Sequence, residues 1–155
     1  MMLTSVRSLL AATILAGSVL AASPALAQDD GAASPITISG NAAVTSDYRF
    51  RGVSLSGGDP AIQGGVDVAH ESGFYVGTWG SSIDGGALGE MELDVYAGWT
   101  GDVAEGVTFD IGLLYYMYPA SDSVAGVELD TDYFEPYASI GTTMGPVGAT
   151  VGVAY

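Results

Sequence analysis

Apolar and polar residues alternate with a period of two in runs of about ten, and this constrains the fold of the chain more than any other feature. Ile36, Ile38, Gly40, Ala42, Val44, Ser46, Tyr48 and Phe50 alternate with Thr37, Ser39, Asn41, Ala43, Thr45, Asp47, Arg49 and Arg51. Between Glu90 and Thr100, Met91, Leu93, Val95, Ala97 and Trp99 oppose Glu90, Glu92, Asp94, Tyr96 and Gly98. Val107 to Tyr118 repeats the pattern, with Val107, Phe109, Ile111, Leu113, Tyr115 and Met117 on one face. A helix would scatter each run around its circumference, so these segments read as strands. Ala61–Glu71, Phe74–Ile83, Tyr133–Ile140 and Val147–Tyr155 are weaker candidates, bringing the count to about seven. Pro136 demotes the sixth to an edge or a bulge, because proline cannot donate to a ladder.

The connections carry a second signal. Gly52–Pro60, Asp84–Gly89 and Pro119–Thr131 are long, whereas Ser72-Gly73, Gly101–Gly106 and Gly141–Pro146 are shorter. Bacterial outer-membrane barrels alternate short periplasmic turns with longer external loops, and about ten tilted residues span the membrane. The expected fold is therefore all-β, an antiparallel up-and-down transmembrane β-barrel with its longer loops outside. Single-chain bacterial barrels have even strand numbers, so a count of seven means either that two strands are merged in it or that the chain covers only part of the barrel and is incomplete at its C-terminal end. The second is the favoured expectation, since an open barrel leaves an unpaired edge in lipid.

Residues 1–27 read as a signal peptide: one basic residue, Arg7, precedes an apolar run from Ser8 to Leu20, and Ala25-Leu26-Ala27 supplies the small-x-small cleavage pattern. The run is too short for a membrane-spanning helix, which needs about 20 residues. A polar lead-in over 28–35 and a β-barrel domain over 36–155 follow. Export and the absence of cysteine leave the outer membrane as the expected location, with the periplasm as the alternative. There a soluble barrel would turn its apolar face inward around an apolar ligand.

Charge excludes one class of partner and favours another. The chain holds 3 Lys+Arg against 18 Asp+Glu, a net charge of −15 that becomes −16 once Arg7 is removed. Nucleic acid is excluded, since phosphate contacts need a basic patch; small solutes and cations are the expected partners, with outer-membrane lipid and lipopolysaccharide around the barrel. Arg49 and Arg51 are the remaining basic side chains and fall on the polar face of the first strand. They serve either as a charged filter facing Glu90 and Glu92, or as structural neutralisers of Asp47 and Asp67. Glu90, Glu92 and Asp94 share one face, and Asp122, Glu128, Asp130 and Asp132 crowd one loop; without EF-hand spacing, both groups read as solvated charge, with no metal site. Tyr48, Phe50, Trp99, Tyr115 and Tyr133 fall near strand ends, where interfacial aromatic girdles belong. His70 reads as a strand-end residue. No cofactor and no catalytic activity are expected.

Several of these segments together resemble a known family. TSDYRFRGVS at 45–54, DPAIQGG at 59–65, HESGFYVGTW at 70–79, ELDVYAG at 92–98 and LYYMYP at 114–119 are similar to the Gcw_chp family, also called TorF-type candidate porins. The resemblance implies an exported β-barrel of Gram-negative bacteria, usually longer than this chain, and brings no ligand or catalytic residues with it. A porin-like channel for small solutes with cation preference is the leading expectation. A non-conducting structural or adhesion barrel is the alternative.

Overall fold

The computed structural model describes residues 25–26, 34–119 and 131–155. Apart from a dipeptide strand β1 (Ala25–Leu26), the predicted signal peptide and most of the lead-in lie outside the described residues. Seven long strands follow: β2 (Ile36–Thr45), β5 (Ala61–His70), β6 (Phe74–Ser82), β7 (Met91–Ala104), β8 (Val107–Met117), β9 (Tyr133–Met144) and β10 (Val147–Ala154). Between β2 and β5, β3 (Arg49–Phe50) and β4 (Val53–Ser54) form a separate miniature hairpin. The main sheet runs β1-β2-β5-β6-β7-β8-β9-β10. Every pairing in it is antiparallel, so the seven long strands form an up-and-down meander.

The alternation of connections is sharper than the sequence suggests. β7 continues through Gly101 to Ala104 and β9 through Gly141 to Met144, which shortens two turns to Glu105-Gly106 and Gly145-Pro146. Gly106 and Gly145 take positive φ there, as tight reversals require. All three short turns lie at one end of the sheet; the 46–60 and 83–90 connections, the end of β8 and the start of β9 lie at the other.

Pro136 does not mark an edge: β9 sits between β8 and β10, with Leu113 opposite the proline. Its carbonyl accepts from the Tyr155 amide, so its missing donor also faces the β10 side, where that ladder ends. The ladder loses a hydrogen bond only at its fringe.

The two faces are inverted relative to a water-soluble sheet. Met91 is 44% exposed beside Glu92 at 1%, Val95 41% beside Asp94 at 6%, and Ile111 48% beside Asp110 at 8%. Ile36, Ile38, Val44, Ile62, Phe74, Val76, Phe134 and Ile140 add to the exposed apolar face. The polar face is the enclosed one.

Glycine makes room on that enclosed face. Tyr96 stands opposite Gly77, Tyr75 opposite Gly98, Tyr137 opposite Gly112 and Trp79 opposite Gly65. Each ring lies over the bare backbone of its cross-strand partner, an arrangement that only a residue without Cβ permits. A Cβ on Gly98 would stand 2.6 Å from the Ile111 carbonyl as well as striking the Tyr75 ring, and one on Gly65 would stand 2.6 Å from the Thr78 carbonyl. Gly98→Ala and Gly65→Ala are therefore expected to destabilise the fold by about 1–3 kcal/mol each in denaturant unfolding. Gly40→Ala, whose Cβ would meet its nearest neighbour at an ordinary 3.4 Å, should stay within about 0.5 kcal/mol of wild type.

Candidate functional site

The enclosed face carries carboxylates, and most receive a hydroxyl from a tyrosine on another segment. Tyr75 of β6 donates to Asp110 of β8 at 3.0 Å, and its hydroxyl meets that of Tyr137 from β9 at 2.5 Å. Tyr96 of β7 donates to Asp67 of β5, and Tyr116 of β8 donates to Glu135 of β9 at 3.3 Å. Tyr48, from the connection after β2, donates to Glu92 of β7 at 2.8 Å. Tyrosine suits this role because it brings a donor on a rigid apolar ring, and the ring covers the backbone beside the acid. Oε2 of Glu92 and Oδ1 of Asp94 are the exceptions, buried without a hydrogen-bond partner.

The long connection after β2 folds back over this face. β2 stops at Thr45, and the chain turns through Ser46 and Asp47 into the β3–β4 hairpin. The hairpin loop is Arg51-Gly52, with φ of 50° and 88°. Positive φ at both loop residues is the type I′ geometry that matches the twist of a two-residue hairpin. Asp47 accepts from Ser54 Oγ at 2.6 Å and from Arg49 Nε at 2.6 Å, and Ser56 Oγ donates to it at 3.3 Å. The Ser54 hydroxyl first, and then the Arg49 guanidinium, hold the Asp47 carboxyl below the usual carboxylate range. Phe50 packs edge-on against Tyr116, and Tyr48 edge-on against Trp79. With Leu55 they close over Ile83, Tyr116 and Tyr118, the small apolar core at the long-loop end. Burial first, and then the Glu92 charge, raise the Tyr48 phenol far above its ordinary value, so it stays protonated and can donate to Glu92.

Arg51, at the hairpin tip, pairs with Glu135 on β9 and stacks over Phe50 with its guanidinium carbon 4.7 Å from the ring centroid. That ion pair spans 84 residues of sequence. The Glu135 contact raises the guanidinium further above its usual value, so Arg51 is a permanent cation on the enclosed face.

The structure rearranges the expected site. Arg49 and Arg51 do not share one strand face: the first strand ends before them, and the positive φ at Arg51 breaks the alternation. Both side chains are exposed; Arg49 is satisfied locally by Asp47, while Arg51 reaches Glu135, a glutamate that no sequence pattern singles out. Asp67 faces inward but holds Tyr96 rather than an arginine. Glu90 is exposed just before β7, whereas Glu92 and Asp94 are buried instead of solvated. The outward positions expected of Tyr48, Phe50 and Tyr133 are not theirs: Tyr48 and Phe50 cover the enclosed face, and Tyr133 stacks on Tyr116 at 4.5 Å. Trp99 and Tyr115 stay on the apolar face, where Trp99 Nε1 bonds the Ser72 carbonyl and Tyr115 stacks on Phe134 at 4.3 Å. His70 bonds Ser72 across the turn and is exposed. Of the acidic loop, Asp122, Glu128 and Asp130 lie outside the described residues; Asp132 accepts from the Tyr118 amide at 2.9 Å. Among the described residues no group of three or more His, Cys, Asp or Glu is placed to hold a metal. The tyrosine partners form no motif in the sequence, and their one common mark, glycines opposite Tyr75, Tyr96 and Tyr137, needs the strand register to be seen.

A family model matches residues 29–155, most of the chain, and carries the description of a bacterial protein of unknown function. The chain belongs to that family, Gcw_chp. No curated protein and no solved structure matches it.

Removing one donor tests the carboxylate–tyrosine pairing. Tyr75→Phe deprives the buried Asp110 of its 3.0 Å hydrogen bond and should cost about 1–3 kcal/mol in unfolding experiments, the penalty for an unsatisfied buried group. Tyr75→Phe combined with Asp110→Asn should recover part of that loss.

Proposed function

We propose that this Gcw_chp-family chain forms the wall of an outer-membrane β-barrel whose enclosed polar face lines a narrow, cation-preferring passage for small solutes. The observation that carries this reading is the inversion of the sheet: aliphatic side chains exposed on one face, carboxylates buried on the other. Water would penalise the first arrangement, since a contiguous exposed apolar face of this extent drives association. Lipid against that face removes the penalty. A soluble barrel binding an apolar ligand would need the opposite face enclosed.

Strand length and connectivity agree with a membrane wall. The seven long strands have 8 to 14 residues, against the roughly 9–11 that a tilted membrane strand needs. Tight turns at one end and long connections at the other are the outer-membrane pattern. On the apolar face the aromatic pairs Phe74–Trp99 and Tyr115–Phe134 lie toward opposite ends of their strands, as interfacial anchors do.

The 46–56 hairpin would narrow the passage and set its charge. It brings Arg51, the one base on this face among the described residues, against Glu135 and leaves Asp67, Glu92 and Asp110 to tyrosines and Asp94 without a partner. A lumen so lined attracts cations and repels anions.

Two measurements test the proposal in sequence. Heat-modifiable gel migration of the protein from the outer-membrane fraction is expected; a protein recovered soluble from the periplasm defeats the membrane reading. Single-channel recording should then give a cation-selective conductance. Arg51→Ala, by removing a positive charge from the lumen, should raise the cation-to-anion permeability ratio severalfold, and Glu135→Gln should lower it. A closed bilayer for wild type and both variants would leave a non-conducting membrane barrel and end the channel reading.

A further inference from the structure

Glu92 and Asp94 form the most enclosed acidic pair of the described fold, and their chemistry is unfinished. They lie two residues apart on β7, so their side chains leave the same face at neighbouring pleats, about 7 Å apart along the strand. Glu92 is 1% and Asp94 6% exposed. One oxygen of each, Oε2 and Oδ1, is buried with no hydrogen-bond partner. An orphaned carboxylate oxygen in a low-dielectric setting carries a desolvation penalty that nothing offsets unless something positive meets it. Among the described residues no such group is free: Arg51 is committed to Glu135 and Arg49 to Asp47.

The surroundings are rich in oxygen and poor in nitrogen. Glu92 faces Ser81 on β6, and Asp94 faces Trp79 on β6 and Tyr116 on β8. The Tyr48 hydroxyl binds the other oxygen of Glu92, and the Tyr118 hydroxyl is a second donor directed at that carboxylate; Oε2 still has no partner of its own. No histidine or cysteine is available, the lone histidine being His70 and cysteine absent. Two carboxylates with hydroxyls nearby match a hard divalent cation, which takes oxygen ligands and keeps water for its remaining positions.

We propose that Glu92 and Asp94 bind one hard divalent cation, of the Ca²⁺ or Mg²⁺ class, at the long-loop end of the enclosed face. The cation neutralises the pair and bridges the two free oxygens. It also explains why β7 can carry two buried carboxylates on one face without a base. The proposal rests on the enclosure of the polar face but not on conduction.

Tb³⁺, which occupies Ca²⁺ sites and is sensitised by nearby indoles, gives a readout that does not depend on stability. Trp79 is the cross-strand neighbour of Asp94, whereas Trp99 lies on the opposite face. The full chain folded in detergent micelles should therefore show tryptophan-sensitised Tb³⁺ emission that Ca²⁺ displaces. Trp79→Phe should abolish it and Trp99→Phe should preserve it. Glu92→Gln combined with Asp94→Asn should lose the emission and the rise in Tm that Ca²⁺ or Mg²⁺ gives the wild-type protein. Emission retained in that double variant, or carried by Trp99, would assign the ion to surface acids and overturn the site. A wild-type Tm that ignores both cations but rises as pH falls would show a shared proton in place of a metal, and would overturn it equally. Loss of conductance in bilayers with the Tb³⁺ response intact would remove the channel and leave the cation site standing.

Discussion

Everything else in this sheet depends on how carboxylates are kept inside it. A buried carboxylate is tolerated only when donors or a counter-charge replace the water it has lost. With 3 Lys+Arg in the whole chain, counter-charges are scarce, and tyrosine hydroxyls take their place. Asp67, Glu92, Asp110 and Glu135 each receive one. Rings that lie nearly flat need bare backbone beneath them, which is why glycines stand directly opposite Tyr75, Tyr96 and Tyr137. The glycines beneath these rings, the tyrosines and the buried acids thus form one arrangement.

The hairpin after β2 is the second device and depends on the first. It docks because Tyr48 and Phe50 find rings and an acid already arranged on the enclosed face, and because Arg51 meets Glu135 beyond them. Local bonds around Asp47 shape the hairpin, while contacts with the strands of the sheet anchor it. In the proposed barrel the same segment braces the wall, narrows the lumen and places its one positive charge. Structural and selective roles for Arg51 are therefore two consequences of one ion pair.

Much of the fold is legible in the sequence, and the points where it misleads have a common physical origin. Seven strands, their pairing in chain order and the contrast of long and short connections all follow from alternation interrupted by turn residues. Boundaries are lost where a strand runs on through glycine, as at Gly101 and Gly141, because glycine signals both a turn and a strand that must accommodate a neighbour. Pro136 resembles an edge residue because its ring removes a donor; only its position opposite the last residues of β10 shows that the loss falls at the ladder's end. The arginine pair is misplaced by any alternation extended past Thr45, where the backbone leaves the strand and later turns left-handed at Arg51.

The sequence by itself determined which residues share a face, since a period of two is a local property of extended backbone and needs no partner to be read. It equally determined the acidity and the shortage of bases. Only the tertiary structure decided which face is enclosed, because alternation is unchanged when inside and outside are exchanged. It alone decided, too, that Arg51 meets Glu135 and that Glu92 and Asp94 are left with free oxygens. Those contacts join residues far apart in the chain, and they exist only because the meander and its hairpin bring distant segments onto the same face.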